Sequence, residues 1–549
     1  MTDREDKVAQ VHDIVVVGGG HNGLTAAAYL ARGGLDVAVL EKNAVVGGAA
    51  LTEEFHPGYR NSVASYTVSL LDPGVIRDLD LHRHGLQIIE RPAANFLPLS
   101  PDKALLWPYG MEAKQNALAE FSPRDAQRYP AYDAALERAA GLLRDLTRKA
   151  PPNAGGGLKE LLKGAGLGRR ILGLPIDDQR LLVDLFAKSV SDFLDQWFEN
   201  EHVKALFAFD GIVGSYVAPS TPGTAYVLLH HCFGEVNGKP GVWGHAVGGM
   251  GAITQAMARA AEAAGAIIRC EAPVARVVVE NGRATGVELA SGEIVRARAV
   301  AANVGPKLLF RDLIPAAVVA PETRDRFVCI KTGSGTFRMN VALTELPDFT
   351  ARPSREAGPH HGAGIVIAPT VAYMERAYLD ARRDGWAREP VVEMLIPSVI
   401  DPTLAPKDRH VASLFVQHVA PQLPGGRSWE NPREKERFAD IVLETVTMHA
   451  PNFRRSILAT QILSPLDLET RFGLVDGDIF HGQLSLDQLF SMRPVLGHAD
   501  YRMPLPGLYL CGSGAHPGGG VTGLPGCNAA REILKDLKWW PRLRSSRAG

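Results

Sequence analysis

The sequence predicts an α/β protein in which a Rossmann-like domain is assembled from separate parts of the chain and a discontinuous α+β domain is inserted between them. A compact βαβ pattern runs from Asp13 to Glu41. Near the other end of the chain, a short apolar run at Leu508 leads through a glycine-rich loop into a helical pattern. Around Val274, β-branched runs separated by Asn-Gly and Ser-Gly turns predict a small β-meander.

The first pattern begins with a predicted strand, Ile14–Val17, followed by a glycine turn and a helix from about Asn22 to Arg32. Gly18, Gly20 and Gly23 have the spacing G-x-G-x-x-G, with His21 and Asn22 between them. A side chain at Gly18 or Gly20 would keep the main chain away from a pyrophosphate, and one at Gly23 would hold the helix off the strand. The helix N-terminus offers amide donors and partial positive charge to phosphates.

The second predicted strand, Val37–Leu40, ends directly before Glu41 and Lys42. A carboxylate in this position accepts hydrogen bonds from ribose hydroxyls and repels a 2′-phosphate. The N-terminal pattern therefore predicts a dinucleotide site.

The composition is that of an ordinary globular protein. Of 549 residues, 46% are hydrophobic and 22% charged, enough for a large core and two or more folding units. The balance of 59 Lys+Arg against 60 Asp+Glu gives no global charge for a nucleic-acid partner. The five cysteines lack a Cys-x-x-Cys pair, which argues against a disulfide framework, a dithiol redox centre and a zinc site.

The N-terminus is charged and lacks an apolar leader, and no apolar run reaches the roughly eighteen residues of a membrane span. Together with the cysteine pattern, this predicts a cytoplasmic or organelle-matrix location.

Gly47 and Gly48 lie shortly after Glu41 and are followed by Ala49. The glycine pair resembles the flavin-side extension of the glutathione-reductase-like flavoproteins of the amine oxidase and phytoene desaturase type, which implies FAD as the cofactor. Those proteins often carry an arginine after the two glycines that touches the pyrophosphate. Ala49 stands there instead, so this contact is lost or supplied elsewhere.

A second glycine-rich loop, Cys511–Gly523, follows the predicted strand Leu508–Leu510 and precedes a predicted helix from Asn528 to Leu537. Small residues let the main chain pass close to a ribityl chain and isoalloxazine, and the helix N-terminus stabilises negative charge on reduced flavin. The loop resembles the C-terminal flavin signature of carotenoid desaturases. The resemblance implies FAD contacts from Gly512, Ser513, Gly520, Val521 and Thr522, with Ser513 where many related flavoproteins have an aspartate.

The resemblance covers nearly the whole chain. The segments that resemble the phytoene dehydrogenase-like group are Asp192–Glu199, Trp243–Gly251, Asp401–Pro406 and Ile479–Gly482. It implies a Rossmann-like FAD-binding domain of the glutathione-reductase and amine-oxidase type, in which the Val274 backbone meets the adenine. We predict that residues 1–71, 242–305 and 473–549 form this domain, the last with a basic tail, and that residues 72–241 and 306–472 form the substrate domain.

The resemblance also implies an FAD-dependent oxidoreductase of the dehydrogenase or desaturase type, in which a hydrophobic, isoprenoid- or lipid-like substrate gives a hydride to flavin N5. His481 and His516 are candidate catalytic residues, as proton carriers or as groups that orient the substrate. Arg338 matches a position where relatives carry lysine, and a cation there would stabilise the hydride-accepting flavin. A loop-shaping role for His516 and a core-edge role for Arg338 are the alternatives.

Other functions stay open on the sequence alone: a non-catalytic partner-binding protein of the same architecture, a flavin-dependent ketolase and a double-bond isomerase. A single dinucleotide motif argues against stable NAD(P) binding and favours dioxygen or a quinone as electron acceptor. His230, His231 and His245 lack metal-ligand spacing, so no metal site is predicted. The sequence leaves an oligomer open.

Two basic and apolar segments fit anchoring to a membrane surface, with solvated basic faces as the alternative. One is Leu158–Leu174, and the other is the tail around Trp539 and Trp540. Glycines between Asn153 and Gly168 predict a mobile excursion there.

Overall fold

The computed structural model of the protein describes residues 11–539. Its strands are β1 (Val11–Val17), β2 (Val37–Leu40), β3 (Thr52–His56), β4 (Tyr59–Ser62), β5 (Ile88–Glu90), β6 (Asn95–Ser100), β7 (Lys103–Trp107), β8 (Glu235–Val236), β9 (Lys239–Pro240), β10 (Gly244–Ala246), β11 (Ile267–Arg269), β12 (Val274–Glu280), β13 (Arg283–Leu289), β14 (Ile294–Ala302), β15 (Phe337–Leu343), β16 (Gly364–Ile367), β17 (Trp386–Leu395), β18 (His410–Val419), β19 (Ile457–Leu463) and β20 (Leu508–Leu510).

The α-helices are α1 (His21–Arg32), α2 (Pro73–Asp78), α3 (Met111–Ala119), α4 (Pro123–Thr147), α5 (Leu158–Leu172), α6 (Ile176–Ala187), α7 (Val190–Asp195), α8 (Glu201–Ile212), α9 (Thr224–His231), α10 (Gly251–Ala263), α11 (Pro306–Leu308), α12 (Pro321–Val328), α13 (Val371–Asp384), α14 (Pro432–His449), α15 (Pro465–Phe472) and α16 (Leu524–Trp539). The predicted tail residues Trp540, Arg542, Arg544 and Arg547 lie outside the described residues.

The first sheet draws its strands from three distant parts of the chain. Its order is β11-β2-β1-β14-β13-β12, and β20 pairs with β14 beyond the end of the β13 pairing. The strands β11, β2, β1, β14 and β20 are parallel, while β12, β13 and β14 form an antiparallel meander. The register aligns Val17, Ala302 and Leu510, so the residues that follow these strands meet at one sheet edge.

Helix α1 packs so closely against its neighbours that two glycines are required. A Cβ at Gly23 would lie 2.2 Å from the Gly18 carbonyl oxygen, and a Cβ at Gly526 would lie 2.1 Å from the Asn22 carbonyl oxygen. The second contact belongs to α16, which begins at Leu524 and not at the predicted Asn528. The start is earlier because proline is tolerated in the first turn of a helix and the Thr522 hydroxyl accepts a hydrogen bond from the Leu524 amide.

The second sheet has the order β19-β15-β18-β17-β16-β6-β7, and all its pairs are antiparallel except β16 with β6. Its strands alternate between two apolar layers. Met339, Met394 and Leu414 pack with α14 on one face, and Phe415 and Val366 pack with α4 and α8 on the other. The second layer is the one that reaches the site described below.

Of the segment 153–168, for which a mobile excursion was predicted, the residues from Leu158 onward belong to helix α5. Leucine, lysine, glutamate and arginine are all good helix formers and outweigh the glycines between them. In the described part of the chain, no helix combines the length and apolar character needed to cross a membrane.

Candidate functional site

The two glycine-rich segments, which lie near opposite ends of the sequence, meet in the structure. The Nε2 atom of His21 donates a hydrogen bond to the Gly520 carbonyl oxygen at 3.1 Å. The Asn22 side-chain amide donates to the Ser513 hydroxyl at 3.0 Å. The start of α1 and the loop before α16 therefore form one continuous wall.

A groove of about 920 Å³, part of it open to solvent, runs along the edge of the first sheet. Many of the residues predicted to bind the cofactor line it: Gly18, Gly20, His21, Glu41, Lys42, Gly48, Ala49, Val274 and Ser513. Gly47 pairs with Gly20 beside it, through a hydrogen bond from the Gly47 amide to the Gly19 carbonyl oxygen. The others lie nearby: Gly23 is inside α1, Gly512 packs on Asn303, Gly520 and Val521 line the adjoining cavity, and Thr522 caps α16.

The shape of the groove fits a pyrophosphate-containing nucleotide. A Cβ at Gly20 would lie 3.0 Å from the Asn303 side-chain nitrogen, and one at Gly512 would lie 3.0 Å from the Asn303 side-chain oxygen. Gly18 has a φ of +97°, which disfavours any side chain. Gly20 precedes α1 without a side-chain cap, which leaves the first-turn amides of α1 available to an anion.

Glu41 lies at the end of β2 with its carboxylate held by main-chain donors. The Gly19 amide donates to Oε2 at 2.8 Å, and the main-chain and side-chain nitrogens of Asn43 each donate to Oε1 at 2.9 Å. A carboxylate has about four lone-pair sites, so acceptor capacity remains for ribose hydroxyls. The carboxylate is therefore oriented before any ligand binds.

Asn303 is a residue of the groove that the sequence reasoning missed. It follows β14, and its side-chain amide donates to the Gly18 carbonyl oxygen at 3.1 Å. It touches the positions where Gly20, Gly23 and Gly512 would carry a Cβ, so it lies between the two glycine-rich segments. The signal was available in the sequence: a polar residue directly after a predicted parallel strand belongs to the ligand-binding edge of such a sheet.

A second, mainly apolar cavity of about 1110 Å³, again partly open to solvent, adjoins the groove. Four residues line both spaces: His21, Ala49, His481 and Ser513. The apolar walls of the cavity include Phe209, Val213, Trp243, Phe415, Ile479, Phe480 and Val521. The two spaces therefore share part of their walls, and a ligand in the groove would lie close to a molecule in the cavity.

His481 lies where the groove joins the cavity. Its backbone is left-handed, with a φ of +56°, and its ring packs on Gly305, where a Cβ would lie 3.0 Å from Nδ1. Burial, together with the positive charge of Arg493 and the nearby His21, lowers the pKa of His481 to about 4. The ring is therefore neutral at physiological pH and able to accept a proton.

Arg493, which the sequence reasoning also missed, fixes the position of the His481 segment. Its buried guanidinium donates to the carbonyl oxygens of Phe480 at 2.7 Å, Gly482 at 3.1 Å and Ser513 at 2.8 Å. It thereby ties the loop around His481 to the second glycine-rich loop. No local sequence pattern marks this arginine, because its partners are all main-chain atoms of other segments.

The other two candidate catalytic residues do not line either space. The Nε2 atom of His516 hydrogen-bonds to the Leu146 carbonyl oxygen at 2.9 Å, and its ring packs against Phe490. The buried guanidinium of Arg338 lies 4.5 Å from the centre of the Tyr66 ring, and its Nη2 donates to the Ser413 hydroxyl at 2.6 Å. His516 thus holds a loop, and Arg338 lies behind Tyr66 and Phe415, which do line the cavity.

His245 of β10 pairs with Asp401, which lies between β17 and β18 of the second sheet. Its Nε2 lies 2.9 Å from Oδ2 of the fully buried Asp401, which also accepts from the Gly248 amide at 2.7 Å. Burial alone would raise the pKa of Asp401, but hydrogen bonds from His245, Thr403 and Gly248 lower it to about 2. Within residues 11–539, no three histidine, cysteine or acidic side chains cluster in a way that would hold a metal ion.

Comparison with known proteins places this geometry in a family. Residues 16–79 match the model of the NAD(P)-binding Rossmann-like domain. The chain is 41% identical to the rat pyridine nucleotide-disulfide oxidoreductase domain-containing protein 2, over 96% of this chain and 94% of that protein. The chain belongs to this oxidoreductase family. The prediction that the chain is an oxidoreductase is confirmed.

More distant relatives agree with the fold. The lycopene-forming phytoene desaturase of a Paracoccus species is 26% identical over 95% of this chain and 97% of that protein. The structure of wild-type putrescine oxidase bound to putrescine has a TM-score of 0.59 and 15% identity, over 96% of this chain and 99% of that chain. The predicted α/β fold with a Rossmann-like domain of the amine-oxidase type is confirmed.

Proposed function

We propose that the protein is an FAD-dependent oxidoreductase that takes a hydride from an apolar substrate. The observation that carries this proposal is the junction of the two spaces at His21, Ala49, His481 and Ser513. A nucleotide groove that opens directly into an apolar cavity is the arrangement a redox cofactor needs, because its reactive ring must leave the nucleotide site and meet the substrate.

The contact between the two glycine-rich segments supports FAD over a nicotinamide dinucleotide. The N-terminal segment alone suffices to hold a pyrophosphate and a ribose. The loop that carries Ser513, Gly520 and Val521 extends the wall of this site into the cavity, as a ribityl chain and isoalloxazine require. Glu41 would bind the ribose, the start of α1 the pyrophosphate, and Val274 the adenine. FAD bound in this way supplies an acceptor for two electrons and a hydride.

The protein's own residues would supply a dry, oriented site. Phe415, Phe480 and Val213 limit the access of water and leave little room for polar groups along these walls. The neutral imidazole of His481 makes no hydrogen bond within residues 11–539 and lies at the junction, where it can take a proton from the substrate or orient it. Arg493 holds its loop in place through the Phe480, Gly482 and Ser513 carbonyls.

A hydrophobic substrate is supported by the cavity walls and by the relationship to a phytoene desaturase. An isoprenoid or another lipid-like molecule has the required character. We propose dioxygen or a quinone as the electron acceptor, because the sequence has a single complete dinucleotide fingerprint after a strand.

Helix α5 supports contact with a membrane surface from which such a substrate could be drawn. Four of its leucines are turned to solvent: Leu158 is 71% exposed, Leu161 69%, Leu162 62% and Leu172 76%. Lys159, Lys163, Arg169 and Arg170 lie on the same helix. An apolar stripe flanked by cations is the pattern of an interfacial helix on anionic lipid.

The test begins with the purified protein and the chromophore it releases on denaturation. We expect yellow protein that releases FAD and is bleached anaerobically by at least one compound in a panel of polyenes, lipids and amines. Colourless protein without flavin would contradict the proposal and favour a partner-binding role. Products that carry new oxygen, or that differ only in double-bond position, would replace dehydrogenation by ketolation or isomerisation.

Two variants sharpen this test. Gly20→Val should abolish FAD retention, because the new side chain would extend from a Cβ position 3.0 Å from the Asn303 amide nitrogen. His481→Gln should keep FAD but slow anaerobic bleaching. Since the pKa of His481 is lowered to about 4, the wild-type bleaching rate should be flat from about pH 5 upward and fall as the ring protonates below that. A wild-type profile that instead falls near pH 6.5 would remove His481 from this role.

A further inference from the structure

One wall of the apolar cavity carries polar groups that the proposed hydride transfer does not use. This wall is formed by the second sheet, by α8 and by the end of α9. The glycine-rich segments line a different part of the cavity. Glu393 of β17, Asp210 of α8 and His231 of α9 line the cavity here. Ionisable groups in a largely apolar space are costly unless something pairs with them.

Glu393 is only half satisfied by the protein. The register of the second sheet places Arg338, Phe415 and Glu393 side by side on β15, β18 and β17. The Tyr66 hydroxyl donates to Oε2 of Glu393. Oε1 accepts no hydrogen bond within residues 11–539. Burial raises the pKa of Glu393, with a further rise from Asp210, while Arg91, Tyr66 and Arg338 oppose it.

Asp210 has no partner in the described structure. It forms neither a hydrogen bond nor an ion pair within residues 11–539, although its side chain lines the cavity. Burial raises the pKa of Asp210 to about 7. The titratable groups that face it are Glu393, Tyr132 and Cys232, and none of them carries positive charge.

His231 adds a third acceptor to this wall. Its Nδ1 lies 2.9 Å from the Val227 carbonyl oxygen and must donate there, which leaves Nε2 as an acceptor in the neutral ring. Burial lowers the pKa of His231 and keeps the ring neutral. The ring stacks on Trp243, which lines the same cavity.

We infer that this wall binds a protonated amine at the end of an otherwise apolar substrate. An alkylammonium group supplies one positive charge and three N–H donors, which match Asp210, Oε1 of Glu393 and Nε2 of His231. The Trp243 ring, which lines the same cavity, already lies under the guanidinium of Arg91, 5.5 Å from the ring centre. A carboxylate-bearing ligand meets two acids here, and a pure hydrocarbon leaves all three acceptors unpaired.

The inference rests on the proposed function, since it names the class of molecule that fills the same cavity. Asp210 would act as a specificity-determining residue, and the amine would be an anchor and not the oxidised centre. The polar wall and the glycine-rich segments lie on different parts of the cavity. If the amine of the substrate is bound at the polar wall, the apolar part of the substrate is free to reach the glycine-rich segments.

The experiment titrates the flavin-loaded protein, under anaerobic conditions and below micellar concentrations, with 1-aminodecane, 1-decanol, decanoate, decane and decyltrimethylammonium. Binding is followed by the visible difference spectrum of the oxidised flavin and by quenching of Trp243 fluorescence, with Trp243→Phe to identify that signal. We expect 1-aminodecane to bind about ten- to a hundredfold more tightly than decane, as a charge-assisted hydrogen bond permits. Decyltrimethylammonium, a cation without N–H donors, should lose most of this advantage.

Two variants and a control complete the test. Asp210→Asn, which keeps the shape of the side chain, should remove most of the advantage of the amine, and Asp210→Leu should remove it while decane binds as well as or better than before. Asp195→Asn, which changes an exposed acid paired with Lys204, should alter neither affinity. Equal affinity for all five ligands, or full amine affinity in Asp210→Asn, would overturn the inference.

Failure of the proposed function looks different in this experiment. If the protein holds no flavin, the visible signal is absent but Trp243 quenching still reports whether amines are preferred. If flavin is held and no amine preference is found, only the assignment of the polar wall is lost.

Discussion

The nucleotide groove and the apolar cavity adjoin each other but are built in different ways. The groove is lined by glycines and by residues that follow β1, β2 and β14, most of which lie close together in sequence or at one sheet edge. The cavity presents side chains from α8, α9, β17, β18 and several loops, brought together only by the fold. A main-chain site depends on where glycine is, whereas a side-chain site depends on long-range packing. This difference predicts which substitutions damage which function.

The largest effect should come from Gly23→Ala in the groove. The new methyl group would lie 2.2 Å from the Gly18 carbonyl oxygen and 2.8 Å from the Asn303 side-chain nitrogen, so α1 must move away from β1. Overpacking of this kind costs about 3 kcal/mol or more when the obstacle is main chain. We expect a marked fall in the urea midpoint and complete loss of bound flavin, measured as the flavin-to-protein ratio.

Gly141→Ala is the matched control for that change. It lies in α4, where an added Cβ has no heavy atom within 4 Å among the described residues. Alanine is the better helix former, so this variant should be more stable by about 0.5–1 kcal/mol and keep its flavin. If Gly23→Ala behaved like Gly141→Ala, the close approach of α1 to the groove would be wrong.

The next largest effect on stability should come from Asp401→Asn. Asp401 lies between β17 and β18 of the second sheet and contacts His245 of β10. The buried carboxylate accepts from His245, Thr403 and Gly248, which lower its pKa to about 2. Since the folded pKa lies below the usual value of about 3.9, the ionised form stabilises the fold by about 2 kcal/mol at neutral pH. Urea unfolding at pH 7 should show a loss of this order in the variant.

The pH dependence gives the sign of this prediction. The contribution of Asp401 is complete above the unfolded pKa near 4 and disappears as pH falls through about 2. The difference between wild type and Asp401→Asn should therefore shrink from pH 4 downward. Asp177→Asn, which removes an exposed ion pair with Arg180, should change stability by less than about 0.5 kcal/mol at any pH. A constant difference across pH 6 to pH 3 would exclude the ionisation of Asp401 as the origin of the effect.

Asn303→Ala tests a side chain inside the main-chain site. The substitution removes the hydrogen bond to the Gly18 carbonyl oxygen and should cost about 1 kcal/mol of stability. Flavin affinity should fall by about tenfold, because the contact that spaces the two glycine-rich segments is lost. Equilibrium dialysis of flavin from the variant measures this. As the control, Asn116→Ala on the exposed face of α3 should leave flavin affinity unchanged. Equal losses of flavin affinity in both variants would mean that the contact made by Asn303 does not contribute to flavin binding.

The same difference explains what the sequence revealed. The strands predicted at Val37–Leu40 and Leu508–Leu510 have those bounds in the structure, because short apolar runs next to glycine turns have few alternatives. The glycine spacing at Gly18 predicted a site because its physical requirement is local. Even Asn303 could have been found from its place after a strand.

The polar wall of the cavity could not be found in this way. Glu393 and Arg338 become neighbours only through the register of β15, β18 and β17, which no local pattern specifies. Tyr66 joins them from a loop far away in sequence, and Asp210 faces them from α8. The one local signal in the sequence was a charged residue inside an otherwise apolar strand or helix. Such a residue indicates that a partner is needed but does not identify that partner.

A substitution in helix α5 should have the smallest effect on the free energy of unfolding but a large effect on membrane binding. The leucines of α5 face outward, whereas Leu30 of α1 is fully buried. Leu161→Gln should change the free energy of unfolding by less than about 0.5 kcal/mol, because the side chain is 69% exposed. Burial of one leucine in lipid is worth about 1.5–3 kcal/mol, so binding to phosphatidylglycerol-containing vesicles should fall by about tenfold or more in a flotation assay. Leu379→Gln, 56% exposed on α13, should leave vesicle binding unchanged. Equal flotation of wild type and Leu161→Gln would mean that the stripe on α5 meets something other than lipid.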